Sequence, residues 1–199
     1  MFGRGARSRT GWQCRPGGHY LTTEHLVLRA HKRRDLAALI ASVDSEVAYW
    51  QGFPAADRAQ LSRFLTPRHL GALRPPPGHE YWVVCDRATG AVIGARSVVP
   101  SREPRDECST GSWLAGGWRG KGLGTEELRA VLALAQCHLG YSTVVAGTAA
   151  TNVAALRQYE KCGFESYERK PHRLPDGRVV DSVWLRRTAP SSAHCPRHG

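Results

Sequence analysis

The stretch of this sequence whose residue types best suit chemistry is a basic, glycine-rich turn. Two cations and three glycines alternate in the run Arg119-Gly120-Lys121-Gly122-Leu123-Gly124. An apolar strand pattern ending in Trp113-Leu114 precedes it, and a helical pattern follows from Thr125. The first amide groups of a helix have no carbonyl partner within it, and the helix dipole adds positive potential there. Because glycines let a ligand approach the backbone closely, the turn predicts a phosphate-binding site.

Two familiar phosphate motifs are excluded by spacing. A P-loop requires Ser or Thr after Gly-Lys, whereas Gly122 follows Gly120-Lys121. A dinucleotide fingerprint requires its third glycine three residues after the second, where Thr125 stands. The pattern that remains is Arg-x-x-Gly-x-Gly.

That pattern resembles the acyl-coenzyme A signature, Arg/Gln-x-x-Gly-x-Gly/Ala, of the GNAT superfamily of N-acyltransferases. A second segment, Asn152 to Phe164, resembles the family's Asn-x-x-(Ser/Ala)-x-x-x-Tyr-x-x-x-Gly-Phe pattern. The resemblance is specific between Trp113 and Phe164. There it is closest to the branch that acetylates ribosomal-protein N-termini, which also contains many small-molecule acetyltransferases.

The resemblance implies how acetyl-coenzyme A, or another acyl-coenzyme A, is held. Its pyrophosphate is expected on the backbone amides of residues 119–125. Its pantetheine arm is expected between splayed strands that end near Leu114 and Gly147, beside Asn152. The expected cofactor-binding residues are Trp113, Leu114, Arg119, Gly120, Lys121, Gly122, Leu123, Gly124, Thr125 and Asn152.

The chemistry implied is direct attack of a neutral amine on the thioester carbonyl. A backbone amide near Leu114 or Ala115 can stabilise the developing oxyanion. Tyr159 is the expected general acid: it lies two helical turns from Asn152 on the same helix face. A phenol with a pKa of about 10 is suited to protonating the departing thiolate.

The general base is not assigned by the sequence. Some family members place a glutamate five residues before the asparagine, and here that position is Gly147. The alternatives at strand ends are Glu107, Asp106, His79 and Glu80. An amine of low pKa needs only water.

Length and composition predict one cytoplasmic domain with basic ends. The chain has 199 residues, of which 41% are hydrophobic, enough for one sizeable core. It contains no apolar run of about 20 residues and no signal-peptide centre in residues 1–20. We expect a disordered basic arm at residues 1–20, an acyltransferase domain at 21–187 and a disordered tail at 188–199.

The order of the patterns predicts the fold class. A strand and helices are followed by three strands, a helix, a strand, a helix and two strands, which is a mixed α/β order. The resemblance implies the GNAT fold: a single twisted, mostly antiparallel sheet of about six or seven strands with helices on both faces.

Charge and cysteine usage bear on partners and metals. The formal net charge is +11, and residues 1–19 carry four arginines and no acid. This favours an anionic partner, so RNA or an acidic carrier protein stays open. None of the six cysteines lies within four residues of another, so neither a disulfide nor a metal site is expected.

The function expected from these features is transfer of an acyl group from acyl-coenzyme A to a primary amine of a small molecule or of a protein N-terminus. One alternative is the same transfer from an acyl-tRNA or an acyl-carrier protein. A second alternative is a ligand-binding module without turnover. Monomer and homodimer both stay open.

Overall fold

One nine-stranded sheet forms the centre of the computed structural model, which describes residues 11–15, 18–54 and 57–189. The strands are β1 (Gly11–Arg15), β2 (Gly18–Thr22), β3 (Leu26–Ala30), β4 (Glu80–Asp86), β5 (Val92–Pro100), β6 (Glu107–Leu114), β7 (Thr143–Ala149), β8 (Glu165–Arg173) and β9 (Val179–Thr188). Their order across the sheet is β1-β2-β3-β4-β5-β6-β7-β9-β8. The neighbouring pairs are antiparallel, except for the parallel pair β6 and β7.

Five α-helices pack around the sheet. They are α1 (Leu36–Ala41), α2 (Ser45–Gln51), α3 (Arg58–Ala72), α4 (Leu123–Cys137) and α5 (Val153–Lys161). Residues Arg33–Asp35 and Gly116–Trp118 form single 3₁₀ turns. Within the described residues, no helix combines the length and the apolarity needed to cross a bilayer.

Helices cover both faces of the sheet, as the sequence predicts. Along β4, Trp82 and Val84 join the larger core cluster with α4 and α5. The alternate residues Val83 and Cys85 pack with Leu39 of α1 on the opposite face. This division follows from the two-residue repeat of a strand, which sends successive side chains to opposite faces.

Helix α4 is the apolar spine of the larger core. Leu128, Val131, Leu132 and Ala135 repeat at helical spacing and are fully buried. Burying four such side chains contributes several kcal/mol, at roughly 25 cal/mol per Å² of apolar surface. The helix ends at Cys137.

The sheet has nine strands, which is two or three more than the expected six or seven. The additional strands, β1 and β2, come from residues that we expected to belong to a disordered arm. That expectation is wrong for residues 11–15 and 18–20, because backbone pairing to β3 holds the hairpin with Leu21 as its one deeply buried apolar residue. The expectations for residues 1–10, 16–17 and 190–199 fall outside the described residues, and the domain limits stay predictions.

One of the cysteines is not in the reduced state that the sequence analysis led us to expect. Cys14 is exposed, and Cys85, Cys108 and Cys162 are buried free thiols. Cys137 is disulfide-bonded. The expectation that the chain forms no disulfide is therefore wrong.

A pair of histidines, buried His69 and partly buried His31, joins the end of β3 to α3. The Nδ1 atoms of His31 and His69 lie 3.1 Å apart, and an ion pair between Arg29 and Asp35 lies beside them. Burial, and then the neighbouring His69, lower the pKa of His31 from 6.5 to about 4, although Asp35 opposes this. The folded protein therefore keeps His31 neutral at pH values where the unfolded chain protonates it.

We expect this pair to make stability depend on pH. Between pH 6.5 and 4 the unfolded chain binds a proton that folded His31 does not, so the free energy of unfolding falls as the pH drops. The loss across that window is about 3 kcal/mol. His31→Gln should flatten this part of the profile, measured by urea unfolding at pH 4.5, 5.5 and 7.

The matched control is His172→Gln, which replaces an exposed histidine of β8. This variant should keep the wild-type slope. Equal slopes in the two variants would contradict the assignment to His31.

Candidate functional site

The only parallel pair in the described sheet opens a cleft. β6 and β7 pair over three residues, ending at Ser109 opposite Val145. Beyond that point β6 continues to Leu114 against β5, while β7 continues to Ala149 against β9. The two strands therefore part, and the gap between them lies where the sequence analysis expected splayed strands.

A cleft of about 350 Å³ lies at this gap and is walled by β6, α2, α5 and the turn before α4. Eight of the ten residues predicted to bind the cofactor line it: Trp113, Leu114, Arg119, Gly120, Gly122, Gly124, Thr125 and Asn152. The other two lie elsewhere. Lys121 borders a second cleft, of about 750 Å³, with Arg129 and Lys161, and the side chain of Leu123 is buried in the core.

The glycine turn presents free backbone amides to the cleft. Gly120 and Gly122 adopt left-handed backbone angles, with φ of +75° and +82°. The amides of Thr125 and Glu126 donate to the carbonyl of Gly122. Within the described residues, the amides of residues 120–124 have no acceptor. A group of unpaired donors at a helix N-terminus favours an anion.

Gly124 holds α4 close to α5. A Cβ there would lie 3.2 Å from the amide group of Gln158, whose Nε2 donates to the Gly124 carbonyl at 2.7 Å. A side chain at this position would push the two helices apart. The third glycine of the turn thus serves helix packing.

Arg119 forms ion pairs with Asp44, the N-cap residue of α2, and with Glu46 in its first turn. Its Nη2 lies 2.6 Å from Oδ2 of Asp44 and 3.0 Å from Oε2 of Glu46, and its Nη1 donates to the other Asp44 oxygen at 3.2 Å. Burial opposes ionisation of Asp44, but the Val47 amide and Arg119 outweigh it and lower its pKa. Arg119 therefore ties the turn to α2, a role that the sequence analysis did not assign.

Two further cations line the same cleft and were missed at the sequence level. Arg157 and Lys161 lie one turn apart on α5. The signal that could have found them is the four-residue spacing between Arg157 and Lys161, which places both on one face of the helix that follows Asn152. They add positive charge to the cleft. Arg119 adds less, because its charge is already paired with Asp44 and Glu46.

Asn152 lines the cleft, whereas Tyr159 is not among the residues that line it. Asn152 caps α5, its Oδ1 accepting from the Ala155 amide at 3.1 Å, and it lines the cleft. Tyr159 is 8% exposed and packs against Phe164, with ring centroids 5.1 Å apart. Its hydroxyl makes no hydrogen bond to any residue that the structure describes. Burial raises the pKa of Tyr159, so the phenol is protonated at neutral pH.

Two backbone amides, those of Leu114 and Ala115, were expected as donors to the oxyanion, and the strand register shows which of them is free of β5. The Ala115 amide donates to the Ile93 carbonyl at 2.8 Å. Because hydrogen-bonded residues alternate along an antiparallel strand, the Leu114 amide faces away from β5. It points toward the side where β7 has diverged.

The alternatives for a general base lie away from the cleft. Glu107 accepts from Ser101, Asp106 from Ser142, and Glu80 pairs with His19. None of these three carboxylates, nor His79, is among the residues that line the cleft.

A buried ion pair joins β5 to Glu127, one of the residues that line the cleft. Arg96 of β5 donates from Nη2 to Oε1 of Glu127 at 2.7 Å and from Nη1 to Thr110 at 3.2 Å. Both charged side chains are 0% exposed. Burial raises the pKa of Glu127, and Arg96 opposes that rise. The charge of Glu127 matches that of Arg96 inside the core.

Comparison with known proteins gives a family match. The acetyltransferase (GNAT) domain family matches residues 25–165, more than half of the chain. N-acetylaspartate synthetase of Rattus norvegicus is 35% identical over 110 residues, which cover 53% of this chain and 34% of that protein. The match thus spans about a third of that relative's length.

Solved structures share the fold. The ribosomal-protein-S5-alanine acetyltransferase from Vibrio fischeri has a TM-score of 0.68 at 18% identity, covering 85% of this chain and 96% of that one. The structure of AAC(6')-Ib in complex with parmomycin and acetyl-CoA has a TM-score of 0.64 at 24% identity, covering 83% and 94%.

We predict that Glu127→Gln destabilises the protein by about 3–5 kcal/mol, because it leaves the Arg96 guanidinium buried without a counter-charge. The neighbouring Glu126→Gln is the matched control. Glu126 pairs with the exposed His25, so its loss should cost below about 1 kcal/mol. Urea unfolding at neutral pH measures both, and equal losses would contradict the assigned role of the buried pair.

Proposed function

The chain belongs to the GNAT acetyltransferase family, as its two motifs predict, and from that premise we propose that it transfers an acetyl group from acetyl-coenzyme A to a primary amine at the cleft that β6, α2, α5 and the turn before α4 enclose. The observation that carries the proposal is the set of unpaired amides in residues 120–124, of which Gly120, Gly122 and Gly124 border this cleft. They are a preformed donor set for a pyrophosphate.

The turn has room for such a ligand. A Cβ built on Gly120 or Gly122 would meet no atom within 4 Å, so the backbone of the turn is open. We assign the pyrophosphate to the amides of residues 120–124, with Arg157 and Lys161 adding charge. The cations Lys121 and Arg129 of the second cleft lie on the other side of Gly122 and would favour a further phosphate.

The acyl end of the donor belongs in the gap between the strands. The Leu114 amide faces this gap and is the proposed oxyanion donor. A neutral amine attacks the thioester carbonyl, its proton passes to water, and the thiolate leaves. We assign water here because the carboxylates and the histidine weighed as bases lie outside the cleft.

Tyr159 is the proposed proton donor to the thiolate. A general acid must hold its proton until the leaving group departs, and burial raises the pKa of this phenol. Its hydroxyl has no competing partner among the described residues. Tyr159 does not line the cleft. This role therefore requires that the pantetheine arm of acetyl-coenzyme A reach past Asn152 to Tyr159.

The acceptor is proposed to be a small-molecule amine, with a protein N-terminus as the alternative. Trp50 and Gln51 of α2 form the wall opposite α5, and Gln51 is fixed by its hydrogen bond to the Ser112 carbonyl at 2.9 Å. The similarity to N-acetylaspartate synthetase, named for a small acetylated amine, supports the first choice. A panel of free amino acids, aminoglycosides and N-terminal peptides separates the two.

An RNA or carrier-protein donor is the second candidate, favoured by the net charge of +11. Transfer from acyl-tRNA or acyl-carrier protein, without transfer from acetyl-coenzyme A, would replace the proposed donor. Binding to RNA should then weaken steeply with salt, because phosphate contacts release counterions.

We predict that acetyl-coenzyme A raises the melting temperature of the protein and that Gly122→Asp abolishes the rise. A ligand that binds only the folded state stabilises it in proportion to the logarithm of its concentration. The introduced carboxylate would repel the pyrophosphate at the turn.

The control is Gly90→Asp. Gly90 has the same kind of left-handed backbone, with φ of +73°, and equally open surroundings, but lies in the β4–β5 turn. It should lose similar stability while keeping the ligand shift. A full ligand shift in Gly122→Asp would remove the basis of the donor assignment.

We predict that Tyr159→Phe lowers kcat at least about tenfold, equivalent to roughly 1.4 kcal/mol of barrier, with little change in the affinity for acetyl-coenzyme A. Tyr141→Phe, which changes another partly buried tyrosine beside the same core, should leave kcat unchanged. Unchanged kcat with reduced stability in Tyr159→Phe would make Tyr159 a packing residue only.

A further inference from the structure

The hairpin of β1 and β2 brings together three potential metal ligands. Cys14 of β1 lies directly opposite His19 of β2 in the strand register, so their side chains project on the same face. His138, which follows the last residue of α4, meets them: its Nε2 lies 3.5 Å from Sγ of Cys14, and its ring centroid lies 4.9 Å from that of His19. The three ligand atoms lie within 4.8 Å of one another.

We propose that Cys14, His19 and His138 form a zinc site that fastens the β1–β2 hairpin to the end of α4. One thiolate and two imidazoles are donors that zinc accepts, with bonds of about 2.3 Å to sulfur and 2.0–2.1 Å to nitrogen. Tetrahedral ligands at those bond lengths lie about 3.3–3.6 Å apart. The observed separation between Cys14 and His138 already has that value.

A carboxylate behind the cluster gives a second, independent observation. Nδ1 of His19 lies 2.7 Å from Oε1 of Glu80, and the two side chains are 13% and 12% exposed. A histidine that donates one ring N–H to a carboxylate keeps the other nitrogen free as a ligand, which is the usual outer-shell arrangement of zinc histidines. The Glu80 bond therefore turns Nε2 of His19 toward Cys14 and His138.

The backbone of His19 is held as firmly as its ring. Its amide donates to Oε2 of Glu80 at 3.2 Å, and its carbonyl accepts from Nε1 of Trp82 at 2.6 Å. Such positioning reduces the ordering cost of binding. The charges also balance, since Zn²⁺ with one thiolate and two neutral imidazoles carries one positive charge, opposite that of Glu80.

The position of the site makes its role structural. His138 and the glycine turn lie at opposite ends of α4, a helix of 15 residues, and are therefore separated by about 20 Å. Three protein ligands leave a fourth position, which water can fill because Cys14 is exposed. Bound metal would link β1, an edge strand of the sheet, to the end of α4, whose apolar side chains lie in the core.

The test is a zinc titration of tag-free protein, stripped with a chelator and kept anaerobic without thiols, against a competing chromophoric chelator. We expect one zinc per chain and a melting temperature that rises with zinc concentration. Cobalt in place of zinc should give a thiolate-to-metal charge-transfer band.

Four variants separate this site from adventitious binding. Cys14→Ser should lose the charge-transfer band and the stoichiometric zinc, and His138→Gln should also lose the zinc. Glu80→Gln should weaken zinc about 10–100-fold without abolishing it, as expected of an outer-shell partner. His172→Gln, an exposed histidine at the far edge of the sheet, should bind as the wild type does.

The proposal is overturned if the wild type binds no stoichiometric zinc, if Cys14→Ser binds it with wild-type affinity, or if the cobalt protein lacks the thiolate band. Circular dichroism should show that Cys14→Ser stays folded, since Cys14 is exposed on an edge strand. None of these outcomes depends on acetyl transfer, so the site and the proposed function are tested separately.

Discussion

The brief pairing of β6 with β7 is the constraint on which the site depends. Each strand has an antiparallel partner on its other side, β5 or β9, and follows that partner once the parallel ladder stops at Ser109 and Val145. The facing edges beyond this point have backbone groups that no strand satisfies, and such groups require water or a ligand. The turn before α4 adds a second set of free amides beside the first. Glycines of the turn and side chains such as Arg157 and Gln51 border the cleft.

Features encoded locally were predictable from the sequence. The spacing of a few neighbouring residues predicts the helical stripe of α4, the strands β3 to β9 and the glycine turn. Eight of the ten residues that were expected to bind the cofactor line one cleft. Periodicity and turn chemistry act over about four to fifteen residues, within the reach of sequence patterns. The family match over residues 25–165 agrees with that local reading.

Features that depend on distant pairings were not predictable. The commitment of Arg119 to Asp44, the burial of Tyr159 away from the cleft surface and the hairpin of β1 and β2 are set by tertiary contacts. Cys14 and His138 are 124 positions apart in the chain, so the spacing of the cysteines could not predict that they meet. Hydrophobic periodicity also gives no signal for a polar edge hairpin, because its stability comes from backbone pairing.

The ion pairs of Arg119 link the two halves of the cleft energetically. One guanidinium holds the turn that is proposed to bind the donor and, through Asp44 and Glu46, the helix that is proposed to face the acceptor. In the proposed function, a phosphate that binds Arg119 would weaken its ion pairs to α2, and an acceptor that binds Glu46 would leave Arg119 more available to the phosphate. By thermodynamic reciprocity, each ligand must alter the affinity of the other by the same factor. In the proposed function, the side chain of Arg119 would therefore couple the binding of the two substrates.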